Sequence, residues 1–158
     1  MDLYPFFDWL DTSFLADMSK AYGGTFAVIQ MFHLMSMALL GGMILVADLR
    51  LLGWVLADVP RQVVINATNK WFTIGLVGMI LSGIFMSSAV AIKLYYNEMF
   101  WAKMSYLGVG IVFVYLVRRP LLAQGVDRLH PWTLRLLASA SIVLWFTVAA
   151  SGRWIGFS

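Results

Sequence analysis

The chain contains no cysteine in 158 residues. That excludes disulfides, thiol nucleophiles, Cys-ligated zinc and iron–sulfur clusters. Charge is scarce as well. Asp, Glu, Lys and Arg make up 12% of the residues, about half of the ~25% usual in soluble domains. There are two histidines, and neither stands in an HExxH pattern. A phosphate-binding glycine loop and a Ser-His-Asp set are also missing, so the common hydrolase and nucleotide-binding motifs are excluded. The net charge of +3 comes without a basic stripe that could follow a phosphate backbone, which argues against nucleic acid as a partner. No stretch reads as a flexible linker, a low-complexity tract, an internal repeat or a second domain.

What fills the chain is apolar surface, at 61% of residues. Four runs stand out, over 24–47, 71–92, 99–117 and 132–152. The first can extend as helix through Leu56. Each approaches the ~20 residues that cross a hydrocarbon core. Backbone polar groups in lipid must be satisfied within the segment, so the runs are expected to be helices. Pro131 suits the first turn of the fourth, and Arg118-Arg119-Pro120 is expected to end the third. Residues 1–22 alternate Asp2, Asp8, Asp11 and Asp17 with Tyr4, Phe6, Phe7, Trp9, Phe14 and Leu15. This pattern lacks the basic start and apolar core of a signal peptide. It predicts one short amphipathic helix lying at the membrane interface. The expected fold is all-α: an integral membrane four-helix bundle with an N-terminal interfacial helix, forming a single domain over 1–158.

Lys and Arg set the expected orientation. Arg50, Arg61, Lys70, Arg118, Arg119, Arg128 and Arg135 fall on one side, and Lys20, Lys93, Lys103 and Arg153 on the other. The excess marks the inner side, so both termini are expected outside. Asn66-Ala67-Thr68 matches a glycosylation sequon but lies in the expected inner loop.

Membrane bundles bury small and polar residues. At about 100° per residue, His33 shares a face with Ile29, Gln30, Ser36, Met37, Leu40, Gly41 and Asp48. Met31 and Met35 point the other way, so "QMFHLMSM" is not a single cluster of soft ligands. Gly41-Gly42 reads as a close-packing spot. On the second span Gly75, Met79, Ser82, Gly83 and Met86 form one face. On the third, Lys103 lies with Met99, Phe100, Tyr106, Leu107 and Gly110; on the fourth, Arg135, Ser139, Ile142, Phe146, Ala149 and Arg153 share a face.

An ionisable residue inside a bilayer is a functional candidate by default. His33 lies about nine residues, or ~14 Å, into the first span. Met86, Lys103 and Arg153 fall in the same half of the bilayer. Neutral imidazole is a good axial ligand for haem b, and Met, Phe and Gly suit a porphyrin face. Lys103 and Arg153 could meet haem propionates, and Met37, Met86 and Tyr106 complete the candidate cofactor-binding set. Lys103 or Met86 is also a possible second axial ligand. The plainer role for His33 is a hydrogen bond across the bundle, to Ser82 or Tyr106. The plainer role for Lys103 and Arg153 is snorkelling to the headgroups. Asp48 and Arg50 suggest an ion-pair network with Arg135 or Arg119. His130 reads as a helix cap, too far in depth to share one iron with His33.

The segments "FFDWLDTSFLADM", "MFHLMSMALLGGMILVADLRLLGW", "YYNEMFWAKMSYLGVG" and "ASGRWIGF" together resemble an uncharacterised family of four-helix bacterial inner-membrane proteins. The resemblance covers nearly the whole chain. A looser similarity extends to the copper-resistance D type membrane domain and to the HemJ-type protoporphyrinogen oxidases. The matching positions are His33, Arg50-Leu51 and Lys103. In the HemJ type the histidine and lysine are linked to haem or porphyrin. The tryptophan-rich motif and the further histidines of that type are missing here. The resemblance implies the bacterial inner membrane as location and raises haem binding at His33.

The leading expectation is therefore a haem-b-binding inner-membrane protein for electron transfer or redox sensing near the outer face. It would act as a redox subunit rather than an enzyme alone, with the lipid bilayer and a homo-oligomer or larger membrane complex as partners. The alternatives are a copper or small-solute transport protein using Met37, His33, Met79 and Met86, or a structural accessory subunit.

Overall fold

A computed structural model describes residues 3–21 and 23–157. Helices α1 (Tyr4–Asp11) and α2 (Phe14–Ala21) precede a long helix α3 (Gly23–Leu52). Helix α4 (Arg61–Ser88) returns antiparallel and is followed by the short α5 (Ala91–Tyr95). Helix α6 runs over Glu98–Ala123 and contains a π-helical turn at Phe113–Arg118. Helix α7 (Pro131–Trp154) closes the bundle. No strand occurs among the described residues. The four long helices, α3, α4, α6 and α7, are each long and apolar enough to cross a membrane. The protein is an all-α, multi-pass membrane bundle whose apolar outer faces meet lipid. An even number of crossings puts both chain ends on one side, here the termini side; the α3–α4 and α6–α7 connections lie on the loop side.

The helix boundaries have local causes. Gly53 ends α3 by adopting φ +83°, a conformation that costs glycine little. Asn97 caps α6, its side-chain oxygen accepting the Phe100 N–H at 3.0 Å. His130 caps α7 as expected, its Nδ1 accepting the Trp132 N–H at 3.3 Å, with Pro131 in the first turn.

Helix α4 extends the second apolar run back to Arg61, so its first turns carry the polar residues ahead of that run. Three expectations are corrected. The third apolar run does not end as helix at Arg118-Arg119-Pro120; the helix continues to Ala123. A proline ring inside an α-helix clashes with the carbonyl four residues earlier, here that of Leu116. The π turn widens the helix at that point, so Pro120 starts a new α segment instead of ending the helix. The N-terminal segment is two helices rather than one. Thr12 and Ser13 turn their hydroxyls onto the carbonyls of Asp8, Trp9 and Leu10, an alternative to the helical ladder. Both helices dock on the bundle: α1 packs on α5 through Phe7 against Tyr95, and α2 against α3 and α4. Finally, Gly41 and Gly42 are not a packing spot, since an added Cβ would meet nothing within 4 Å at either.

The close approach is made elsewhere on the same pair of helices. A Cβ at Gly75 would lie 2.9 Å from the Leu40 backbone nitrogen, and one at Gly78 would lie 2.5 Å from Ser36 Oγ. Glycine lets α4 press onto the backbone of α3, the packing device of membrane helices. Two buried apolar clusters stack along the bundle. One joins Leu40, Ile44, Phe72, Leu76, Met79, Val114, Trp145 and Val148. The other, nearer the loop side, joins Ala47, Leu51, Ile65, Leu122, Val126, Leu134, Leu137 and Ala138.

The inward face of α7 also differs from expectation. Leu134, Leu137, Ala138, Ser141, Trp145, Val148 and Ser151 are buried. Arg135, Ser139, Phe146, Ala149 and Arg153 are exposed. The two arginines stand near the helix ends, where a long side chain reaches headgroup level from a lipid-facing position. They therefore do not mark the interior.

Candidate functional site

Two polar centres lie inside this bundle, one toward each side. The first is built on His33. Its Nδ1 stands 2.9 Å from Ser82 Oγ on α4. Ser82 Oγ has one proton and lies 2.6 Å from the Gly78 carbonyl and 3.3 Å from that of Met79. A carbonyl cannot donate, so the Ser82 proton goes to the backbone and its oxygen accepts from His33. This assigns the proton of the neutral imidazole to Nδ1 and leaves Nε2 with a free lone pair. The Met79 carbonyl also lies within reach of the His33 ring, on the same side as Ser82. Gly83 is what lets the ring lie there: a Cβ would come within 3.4 Å of His33 Cε1.

Lys103 reaches the same region from α6. Its aliphatic stem runs over Gly152 of α7, with Cε 3.4 Å from where a Cβ would stand. Its ammonium is close enough to His33 for the two to interact electrostatically. Met86 is half-buried one turn beyond Ser82 on the inward face of α4.

The other candidates lie apart from this group. Met37 is 39% exposed, one turn from His33 but rotated toward lipid. Tyr106 is exposed and lines a groove of about 550 Å³ between α6 and α7, with Phe113, Ser139 and Thr147. Arg153 turns to the end of the chain, its guanidinium 4.5 Å from the centroid of the Phe157 ring. Among the described residues no three His, Asp or Glu side chains converge as a metal site. His33 is thus a lone oriented imidazole, with Lys103 and Met86 on neighbouring helices.

The second centre was only half anticipated. Asp48 pairs with Arg118, not with Arg135 or Arg119: Arg118 Nη2 donates to Asp48 Oδ1 at 2.7 Å, and both side chains are almost wholly buried. Arg50 makes no ion pair among the described residues. It holds the α3–α4 connection, donating from Nε and Nη2 to the Val59 carbonyl at 3.0 and 2.7 Å and from Nη2 to that of Ala57 at 3.2 Å. Arg119 instead donates to Thr73 Oγ1 at 2.6 Å and to the Asn69 carbonyl at 3.0 Å, and stacks 4.3 Å from the Tyr115 ring. Arg118 and Ser141 are the residues the sequence reading missed. The signal for Ser141 was its place among Leu134, Leu137, Ala138 and Trp145, an apolar face with one small polar member. Arg118 gave no such signal, because the π turn adds a residue's rotation, about 100°, to any extrapolated helical face.

A family of unknown function, DUF6644, has a model that matches residues 6–158, and the chain belongs to that family. Comparison with curated proteins and with solved structures finds no match.

Proposed function

We propose that this DUF6644 member is a haem-b-binding membrane protein that works in electron transfer or redox sensing, with His33 as an axial ligand. The observation that carries this reading is the His33–Ser82 hydrogen bond, which fixes the tautomer and leaves Nε2 free inside the membrane. Metal-ligating histidines are typically held in this way through the second nitrogen. Lys103 supplies a positive charge beside His33 suited to a propionate, and Met86 an apolar, polarisable neighbour. The haem would supply one-electron exchange at its iron. The chain's own residues would orient the ligand and balance charge. The similarity of His33, Arg50-Leu51 and Lys103 to the HemJ-type positions supports the same reading.

The visible spectrum of the protein purified in mild detergent tests it. We expect a Soret band that shifts on reduction, and a positive pyridine haemochrome assay. Absence of both, after growth with ample haem precursor, would overturn it. Copper retained in place of porphyrin would favour a soft-ligand transport path through His33, Met79 and Met86. Neither cofactor would favour an accessory subunit, with the exposed Met31, Phe32 and Met35 of α3 facing a partner or a second copy.

The resemblance supports a bacterial inner-membrane location, and the charge bias supports termini on the periplasmic side. The lack of native cysteine makes the check direct. A single cysteine at exposed Lys93 should label with an impermeant maleimide in whole cells, and one at exposed Asp58 only after lysis. The opposite pattern would reverse the orientation.

A further inference from the structure

The Asp48–Arg118 pair is incomplete. A guanidinium and a carboxylate can make two parallel hydrogen bonds, yet here only one links them. Asp48 Oδ2 and Arg118 Nε are buried with no hydrogen-bond partner among the described residues. Ser141 on α7 brings its buried hydroxyl within reach of the Asp48 carboxylate, but not into full hydrogen-bond geometry with it or with any other described residue. Three helices thus bring three unsatisfied polar atoms to one centre, on side chains that are each almost fully buried. Buried polar groups are rarely left so, and each would cost about 1–3 kcal/mol.

The chemistry of the three atoms narrows what fills the centre. Asp48 Oδ2 only accepts, Arg118 Nε–H only donates, and Ser141 Oγ does either. The ion pair is neutral overall. An added anion would face Oδ2, and an added cation would face the guanidinium. A small neutral molecule that both donates and accepts suits all three, and water is that molecule. The centre is also sealed. One turn before and after Asp48 stand Ile44 and Leu51; around Arg118 stand Val114 and Leu122; around Ser141 stand Leu137 and Trp145. Every one of these belongs to a buried apolar cluster.

We infer that Asp48 Oδ2, Arg118 Nε and Ser141 Oγ bind internal water between α3, α6 and α7. The site does not depend on the haem reading. Internal waters usually make about three hydrogen bonds to otherwise unmatched groups, as this centre offers. The π turn is the device that builds it, since it aims Arg118 at Asp48.

The test is solid-state NMR of the isotope-labelled protein in lipid nanodiscs, with the Arg118 Nε–H signal assigned by its loss in Arg118→Lys. We expect magnetisation transfer from water to that proton, unaffected by a soluble paramagnetic chelate. Ser141→Val, which puts methyls where the hydroxyl was, should abolish the transfer. Ser141→Ala, which leaves room for a water, should retain it. No transfer in the unaltered protein would overturn the proposal. So would transfer that the chelate quenches, because the water would then be bulk solvent. The measurement on the unaltered chain stands even if a variant fails to fold.

Discussion

Arg118→Met should destabilise the protein by about 3–5 kcal/mol, the cost of removing one partner from a buried ion pair. The loss comes less from the missing attraction than from the carboxylate left behind. Asp48 would keep a charge, or take up a proton, among Ile44, Ala47 and Leu51, all buried. The double variant Asp48→Leu/Arg118→Met should recover most of the loss, since a buried pair and well-packed apolar residues are often of similar stability. Unfolding in mixed micelles, followed by tryptophan fluorescence, measures both. A single variant as stable as the parent would show that the pair is already solvated by bulk water. A double variant as unstable as the single would show that the pair is needed for helix register.

The second large effect is expected at His33. On the haem reading, His33→Ala removes the axial ligand and should abolish the Soret band. Ser82→Ala is the more discriminating change. It leaves the imidazole in place but frees its tautomer, and loss of such a supporting hydrogen bond typically lowers affinity about 10–100-fold. Haem titration of the purified variants separates the cases. A band that survives His33→Ala shows that another residue ligates the iron. Unchanged affinity in Ser82→Ala shows that the Ser82 bond only fixes helix packing. Ser82→Thr, which keeps the hydroxyl, should restore affinity.

The apolar runs make the crossings legible in the sequence, because lipid demands long stretches without charge. The face of α4 is legible for a related reason: Gly75, Ser82 and Gly83 are small or polar where a neighbour must come close. Ser82 was accordingly one of two partners expected for His33. What misled was the assumption that arginines mark the interior. Arg135 and Arg153 sit near the ends of α7 and face outward, and the true interior is marked by Ser141 and Trp145. The Asp48–Arg118 pair was beyond periodicity, since its geometry depends on a π turn that no 3.6-residue count contains. The convergence of Lys103 with His33 was readable as shared depth, but the outward turn of Met37 and the exposure of Tyr106 depend on where neighbouring helices stop covering them.

The cluster of Leu40, Ile44, Phe72, Leu76, Met79, Val114, Trp145 and Val148 lies between His33 and Asp48, which are about 22 Å apart along α3 at the helical rise. In electrical terms it is an insulating spacer. A transmembrane voltage acts on a unit charge that crosses the whole bilayer by about 2.3 kcal/mol per 100 mV, and this apolar layer offers such a charge no polar resting place. The loop-side pair is neutral, so the voltage has no net charge to pull on there. On the haem reading, an electron carrier at His33 would stand nearer to partners on the termini side than to partners on the loop side.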